Sequence, residues 1–508
     1  MGALVHSSPQ PDGSRRLLLM LPGLALVLVT VVVLFASPHG HYGLLLAVVP
    51  LLAAAVHTVH ATALLGALTV AVYAALYGAR ADVWDVWAIK LGLVAGVCLV
   101  GVLLAQARSR ERRLNVTEDV ALALQRELLP RAVPALPAVE VCHHYVPADS
   151  SAGVGGDWFD VIPLSGSRVA LVIGDVVGHG VHAAALMGRL RTAVHTLADL
   201  DLAPAELLAR MNDLLVRLGE EDPEREPGAT LLLLVYDPVT GGCTTAGAGH
   251  APAAFLTADG RVEFPRLPET PPLGIPATVF EDTEFHLEPG TVIALYTDGL
   301  LDLRAQETDD ALAGLASALA APAAGVPLDQ LCNRVCAATL GSGRNDDDVA
   351  VLLARTRRLS EDRVANWELR ADLQAAAHAR ALVSEQLRLW GLEYLVFSTE
   401  LIVSELVTNA VRYAVPPITL RLIRSQVLIC EVSDGTNTSP HLRRAHSTDE
   451  GGRGLFLVSQ VSDRWGTRHH RDGKTIWVEQ YLPSGPPAAA HCGHVASRPA
   501  PQARGALT

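Results

Sequence analysis

Four short stretches end an apolar run on acid held between glycines or against a strand. They are Asp157 in GVGGDWFD, Asp175 in VIGDVVGHG, Asp298 in ALYTDGL, and the triplet Asp346, Asp347 and Asp348 in RNDDDVAVLL. Two like unit charges about 4 Å apart repel by roughly 4 kcal/mol at an effective dielectric near 20, so acids crowded at strand mouths want open water or a cation. A lone triplet would suit a solvated turn equally well. Acids gathered from several strand ends, with no His/Cys set beside them, make a hard oxygen donor set that suits Mg²⁺ or Mn²⁺ better than zinc. Two such ions about 3.5 to 4 Å apart generate hydroxide from water and hold a phosphoryl oxygen, chemistry that uses no protein nucleophile.

A second constellation lies further on. TELIVSELVTNAVRYA, residues 399 to 414, sets Glu405 and Asn409 four apart, on one face of an otherwise apolar helix. A carboxylate and an amide so placed can orient a nucleophile and hold Mg²⁺ against phosphate. CEVSDGTNT puts Asp434 at a strand end, and EGGRGLFLV sets Gly451, Gly452 and Gly454 before a helix. Backbone N–H groups there can approach phosphates, and the helix dipole favours them.

The elements that must carry these residues occupy only part of the 508-residue chain. Its hydrophobic content is 50% and its mean hydropathy +0.29, and the excess apolarity sits in the first 106 residues. Runs at 17–35, 43–57, 61–78 and 88–105 are almost free of charge, which predicts four membrane spans. Arg15 and Arg16 precede the first, and Arg108, Arg110, Arg112 and Arg113 follow the last, so both ends are expected on the cytoplasmic side of a bacterial inner membrane. The spans carry almost no ionisable residue except near their ends, which favours an anchor or sensor of an apolar signal over a transporter. Residues 109–130 keep a helical period up to Pro130, a connector helix whose apolar stripe is able to pair two subunits as a homodimer or equally to pack on the following domain.

From 138 to 356 short β-rich runs alternate with two helical tracts, 181–219 and 309–340, which predicts an α+β sheet sandwich flanked by helices. A second unit, 363–483, reads as helices 371–390, 394–413 and 453–464 with strands at 418–424, 426–433 and 474–482. The tail 484–508 is Pro/Ala/Gly-rich and expected to be disordered. The whole chain carries a formal charge of −13, and its cytosolic part is the acidic part, which excludes the basic footprint of a nucleic-acid binder. Seven cysteines without a CxxC pair read as reduced thiols, with Cys332 and Cys336 as ordinary helix residues.

The first constellation resembles the sporulation stage II protein E branch of protein phosphatase 2C-type serine/threonine phosphatases. GVGGDWFDV, IGDVVGHGVHAAALM, AGAGHAPAAFL, PPLGI, LYTDGLLD and DDDVAVLL occur in that family's order across about 120–356. The resemblance implies an α-β-β-α sandwich in which Asp175 bridges two Mn²⁺ or Mg²⁺ ions, the Val176 carbonyl ligates one, and Asp157, Asp298 and Asp347 complete the cluster. Asp347 is chosen over Asp346 and Asp348 because the family's ligand is the first acid of the pair before the strand. His179 is assigned to packing or capping, since its offset from Asp175 differs from that of the eukaryotic phosphatase histidine. No arginine is assigned to the substrate phosphate.

The second constellation resembles the anti-sigma factor serine kinase branch of the histidine kinase-like ATPase superfamily, with GGRGLFLV, DRWG and GKTIWVE as its marks. That implies an α/β two-layer sandwich binding ATP with Mg²⁺: Asn409 for the metal, Glu405 as base, Asp434 for the adenine amino group, Gly452 and Gly454 for the phosphates. After Asp434 the sequence reads Gly-Thr-Asn, so the superfamily's DxGxG glycines are absent. The expected layout is a cytoplasmic N-terminus (1–16), an all-α transmembrane bundle (17–106), a connector (107–137), a phosphatase domain (138–356), an ATP-binding domain (363–483) and the tail. The expected function is a membrane-anchored phosphatase with a fused kinase-like module acting on a phosphorylated anti-sigma factor antagonist. The alternative makes that module a non-catalytic binding domain that sequesters a sigma factor or the antagonist.

Overall fold

The computed structural model describes residues 13–36, 43–78, 84–128, 134–148, 155–222, 227–301, 308–320, 326–339, 347–436, 454–470, 472–482 and 494–495. Two compact units divide at Asp119 and Val120.

The first unit is helical: α1 (Gly13–Ala36), a 3₁₀ turn Gly43–Ala47 running into α2 (Val48–Val56), α3 (Val59–Gly78) and α4 (Trp84–Leu128). Leu26, Leu46, Val49, Tyr73, Val94 and Cys98 form its core, while Leu28, Leu64, Ile89 and Leu99 are exposed. An apolar core with large apolar side chains also on the outside is what a lipid-facing bundle shows. Gly101 lets α4 approach α2 closely, since a Cβ there would stand 3.0 Å from the Pro50 carbonyl oxygen. Val59–Leu76 and Trp87–Arg110 are long and apolar enough to cross a membrane, whereas Pro22–Val32 and Leu45–Val56 are shorter apolar stretches. The second expected span is short: a 3₁₀ turn and nine α-helical residues rise roughly 23 Å against a hydrocarbon core of about 30 Å.

The second unit opens with β1 (Val139–Val146), β2 (Trp158–Pro163), β3 (Val169–Val176), α5 (Val181–Ala198), α6 (Pro204–Glu221), β4 (Ala229–Tyr236) and β5 (Gly242–Ala248). It continues through β6 (Ala254–Leu256), β7 (Val262–Glu263), β8 (Thr283–His286), β9 (Val292–Tyr296), α7 (Thr308–Ala320), α8 (Leu328–Thr339) and β10 (Val349–Thr356). One sheet runs β2-β3-β4-β5-β8 and the other, with a two-residue strand at 494–495 on its edge, β1-β10-β9-β6-β7. Both are covered on both faces, so their strands read as continuous apolar runs rather than alternating ones. Leu171, Ile173, Leu232 and Leu234 meet Ile293, Leu295 and Leu352 between the sheets. Val172, Leu231 and Leu233 point the other way onto Met187, Leu190, Leu208 and Met211 of α5 and α6. Val351 and Leu353 do the same onto Leu315, Leu331, Cys332 and Val335 of α7 and α8. The order helix, sheet, sheet, helix is the α-β-β-α sandwich. Each expected helical tract is two helices, the first broken at 199–203 where Asp201 takes a positive φ of 54° and Pro204 starts the next helix. The six described cysteines are buried free thiols.

The remaining elements are β11 (Val364–Leu369), α9 (Ala375–Leu389), α10 (Val396–Tyr413), β12 (Ile418–Arg424), β13 (Val427–Asp434), α11 (Gly454–Val461), β14 (Arg464–His470) and β15 (Gly473–Tyr481). They form an antiparallel sheet β11-β12-β13-β15-β14 with its helices on one face, an α/β two-layer sandwich. Leu420, Leu428, Cys430, Val432 and Val478 pack on Ala379, Val383, Val403 and Val407. α10 is itself apolar enough to resemble a span, but here it is a core helix.

Candidate functional site

Strand register explains why the acids converge. β2 and β3 pair antiparallel with Trp158 opposite Gly174, so one step further Asp157 faces Asp175, near enough for the Asp175 charge to act on the Asp157 carboxyl. β9 and β10 pair with Tyr296 opposite Val351, which brings Asp298, just after β9, to the same edge as Asp347 and Asp348, just before β10. Glycines make these turns close enough. A Cβ on Gly155 would lie 1.3 Å from Asp348 Oδ2, on Gly156 2.3 Å from the Val176 carbonyl oxygen, and on Gly299 2.0 Å from the Asp348 carbonyl oxygen. These are therefore spacing glycines as well as turn glycines.

The neighbouring acids act on one another. Burial, then the Asp175 charge, pushes the Asp157 carboxyl well above its usual range, although Thr297 donates a 2.6 Å hydrogen bond to Asp157 Oδ2. Asp175 is pushed up to about 6 by burial and by Asp298, Asp347 and Asp348. Hard oxygens that repel one another at a strand rim fit divalent cations, which would remove that penalty. Among the described residues no three candidate ligands already form a coordination shell.

The triplet divides by role. Asp348 is buried, accepting from Tyr145 Oη at 2.9 Å and from the Ala148 amide at 2.7 Å, while Asp347 is exposed and accepts the Asp348 amide at 2.9 Å. Asp346 lies outside the described residues. Asp348→Ala is expected to cost about 3 kcal/mol by leaving a buried phenol and amide unpaired. Asp347→Asn should unfold like the parent yet lose about 10²- to 10³-fold in turnover. Denaturant titration beside turnover separates the two.

Asp160, the second acid of GVGGDWFD, is buried and grips α5. Arg191 Nε donates to its Oδ2 at 2.6 Å, and His195 Nε2 lies at 2.6 Å. Burial opposes its charge, but the His195 hydrogen bond and the Arg191 charge outweigh it and hold the pKa below the usual range. Stabilisation from this group is therefore full above the unfolded pKa near 4 and lost as pH falls through the lower folded value. Asp160→Asn should lose about 1 to 3 kcal/mol at pH 7 and flatten that part of the acid-denaturation curve. His250 of the AGAGHAP stretch is structural, held between Thr230 Oγ1 at 2.8 Å and the Tyr296 carbonyl at 3.2 Å, with burial pushing it down to about 4. His179 is exposed in the turn before α5.

In the second site Glu405 and Asn409 are half-buried on one face of α10. Gly454 at the start of α11 lies over Glu405, a Cβ there coming within 2.4 Å of Glu405 Oε2. Gly452 lies outside the described residues. Asp434 is buried, and its Oδ1 accepts from Lys474 Nζ at 2.9 Å and from the Thr436 amide at 2.9 Å and hydroxyl at 2.5 Å. The carboxylate expected to take an adenine amino group is thus already paired with a cation from the facing position of β15. Lys474 and Thr436 escaped the sequence reading, although the GKT stretch contains the signal.

Residues 165–357 match the family described as Stage II sporulation protein E (SpoIIE), and residues 369–479 match the histidine kinase-like ATPase domain. The chain joins a SpoIIE domain to a histidine kinase-like ATPase domain. Among curated proteins, phosphoserine phosphatase RsbU of Bacillus subtilis (strain 168) is 24% identical over 200 residues, covering 39% of this chain and 57% of that protein. Protein IcfG of Synechocystis sp. is 30% identical over 207 residues, covering 36% and 32%. The chain thus spans less than two thirds of the length of these relatives. Among solved structures, the RsbU and RsbW domains of Rv1364c from Mycobacterium tuberculosis share 28% identity at a TM-score of 0.43, covering 70% of this chain and 96% of that one. The catalytic domain of the serine/threonine phosphatase PstP, solved with two manganese ions, shares 18% at a TM-score of 0.33, covering 43% and 99%.

Proposed function

We propose that this chain is a membrane-anchored, divalent-metal-dependent protein serine/threonine phosphatase. The observation that carries the reading is the convergence of Asp157, Asp175, Asp298 and Asp347 at one sandwich edge, where burial and the neighbouring acids push the Asp157 and Asp175 carboxyls up. The name of the relative RsbU, a phosphoserine phosphatase, supports it. Asp157, Asp175, Asp298 and Asp347, with the Val176 carbonyl, would hold two Mn²⁺ or Mg²⁺ ions. Bound there, the ions supply a hydroxide at neutral pH and neutralise phosphoryl oxygens. The chain's own part is positioning: Thr297 fixes Asp157, Asp348 ties the β10 turn to Tyr145, and the glycines admit the acids to one edge. In the hydrolysis the seryl O–P bond breaks, an O–P bond from water forms, and serine leaves as the neutral alcohol.

The four apolar helical segments anchor the protein in the bacterial inner membrane with both catalytic domains cytoplasmic, and α4 continues as the connector, through which two copies can pair. The substrate is a phosphorylated anti-sigma factor antagonist in a partner-switching pathway. The C-terminal domain is a kinase-like module binding ATP and Mg²⁺ through Asn409, Asp434, Gly452 and Gly454, with Glu405 as base. A second reading has its own support: the Lys474–Asp434 pair occupies the carboxylate, which favours a binding module that captures an antagonist or sigma factor without turnover. Release of phosphate from phosphoseryl and phosphotyrosyl peptides by the full chain, with Asp298→Asn as control, tests the phosphatase. Selective Mn²⁺-dependent release from phosphoserine supports it, and equal or absent release refutes it. Phosphate transfer from ATP to the antagonist that disappears in Glu405→Gln supports kinase action, and capture unaffected by Glu405→Gln supports the binding module.

A further inference from the structure

The outer face of the C-terminal sheet is not open. Residues of β13 alternate, Leu428, Cys430 and Val432 facing the helices, while Ile429 and Glu431 face the SpoIIE domain. Glu431, 1% exposed, accepts from Arg421 Nε at 2.6 Å and from an Arg468 NH2 at 3.0 Å. The other terminal nitrogen of Arg468 donates to Ser165 Oγ at 3.0 Å, across to the SpoIIE domain. Ser165 also accepts from Arg168 at 3.1 Å, and Arg168 donates to Asp201 Oδ1 at 2.7 Å. Between Ser165 and Arg168 the backbone must pass close: Gly166 has a φ of +70°, and a Cβ there would stand 2.8 Å from Glu431 Oε1. Beside the ionic cluster Ile423, Ile429 and Leu359 pack with Val239. Arg464 reaches Asp199 at 3.4 Å.

The place of the grip matters. Residues 164–168 are the hairpin turn between β2 and β3, whose opposite ends carry Asp157 and Asp175. Residues 199–201 follow the far end of α5, whose near end follows the Asp175 turn and whose Arg191 and His195 hold Asp160. Two strands and one helix, each about 20 to 27 Å long, therefore have one end in the acid cluster and the other against the C-terminal module. Regular elements of that length move as units, so a change of tilt at the gripped end reaches the acids.

We propose that Arg468 of the C-terminal module, acting through Ser165, is a positioning residue for the metal centre of the SpoIIE domain. The module thereby sets how closely Asp157 and Asp175 stand, and so how readily that centre takes up its ions. This rests on the phosphatase reading. The expectation is specific to metal affinity: loosening the grip weakens ion uptake while the chemistry at full loading persists.

The test uses the detergent-solubilised full chain, metal-free, as parent, Ser165→Ala and Arg468→Lys. Ser165→Ala removes the shared hydroxyl without stranding a buried charge, so it keeps the experiment interpretable if Arg468→Lys folds poorly. Mn²⁺ binding is read from the free-ion electron paramagnetic resonance signal, independently of activity, alongside turnover and thermal unfolding. The expected result is a dissociation constant raised about three- to tenfold in both variants, turnover at saturating Mn²⁺ within about twofold of the parent, and little change in unfolding temperature. Unchanged Mn²⁺ affinity in an active parent's variants, or a lower unfolding temperature with unchanged affinity, overturns the proposal and leaves the phosphatase reading standing. A parent that binds Mn²⁺ but never releases phosphate defeats the phosphatase reading itself, and the proposal with it.

Discussion

Asp175→Asn lowers phosphate release at saturating Mn²⁺ by about a thousandfold, equivalent to about 4 kcal/mol of transition-state stabilisation. Asp175 is the acid that all the others see: it faces Asp157 across the β2–β3 pairing and feels Asp298, Asp347 and Asp348. An amide in its place keeps the shape but removes the charge that would be shared between two ions. The same substitution should raise the melting temperature of the metal-free protein at pH 7. A carboxyl raised to about 6 favours folding in its protonated form, so its ionisation costs stability as pH climbs through that value, and the amide never ionises. Mn²⁺ should then stabilise the parent strongly and the variant little, because a ligand stabilises only the state that binds it. Turnover measurements and thermal melts with and without Mn²⁺ check all three. A variant that keeps its turnover, or a metal-free variant less stable than the parent, contradicts the reading.

Lys474→Met should cost about 3 to 5 kcal/mol of stability in the C-terminal domain. The lysine and Asp434 have side chains only 8% and 3% exposed, and removing the cation strands a buried carboxylate with Thr436 as its remaining partner. The double variant Lys474→Met with Asp434→Asn should recover most of that loss, since no lone charge remains buried. Denaturant titrations of parent, single and double variants measure the coupling, and additive losses would show that the pair contributes no interaction of its own. Binding of ATP to the same variants then asks which role Asp434 serves. A carboxylate freed for the base binds ATP more tightly in Lys474→Met, while a purely structural pair leaves affinity unchanged.

Much of this architecture is legible where sequence and burial agree. The runs VALVIGDV and TLLLLVY are strands covered on both faces, and the acids at their ends mark the edge where a site forms. What escapes is of another kind. β14, RWGTRHH, is an edge strand rich in Arg and His, and β5, GCTTAGA, is built of small residues, so neither shows the β-branched or aromatic run by which strands are recognised. β11, VANWEL, alternates weakly and was invisible between a linker and a helix. At the sites, the clustered acids stand out because acids at strand ends are costly, whereas Thr297, Tyr145 and Lys474 look ordinary. Their role depends on partners 140, 203 and 40 residues away in the chain. Register, which only the fold supplies, turns Asp157 toward Asp175 and Lys474 toward Asp434.

On the proposed reading the acids at the sandwich edge hold catalytic ions. The most direct test strips the full chain of metal with a chelator, then titrates Mn²⁺ while following phosphate release from a phosphoseryl protein. The expected result is no turnover without metal, activity restored by Mn²⁺, and no restoration in Asp175→Asn or Asp347→Asn. Turnover that survives chelation, or that returns equally in those variants, would contradict it.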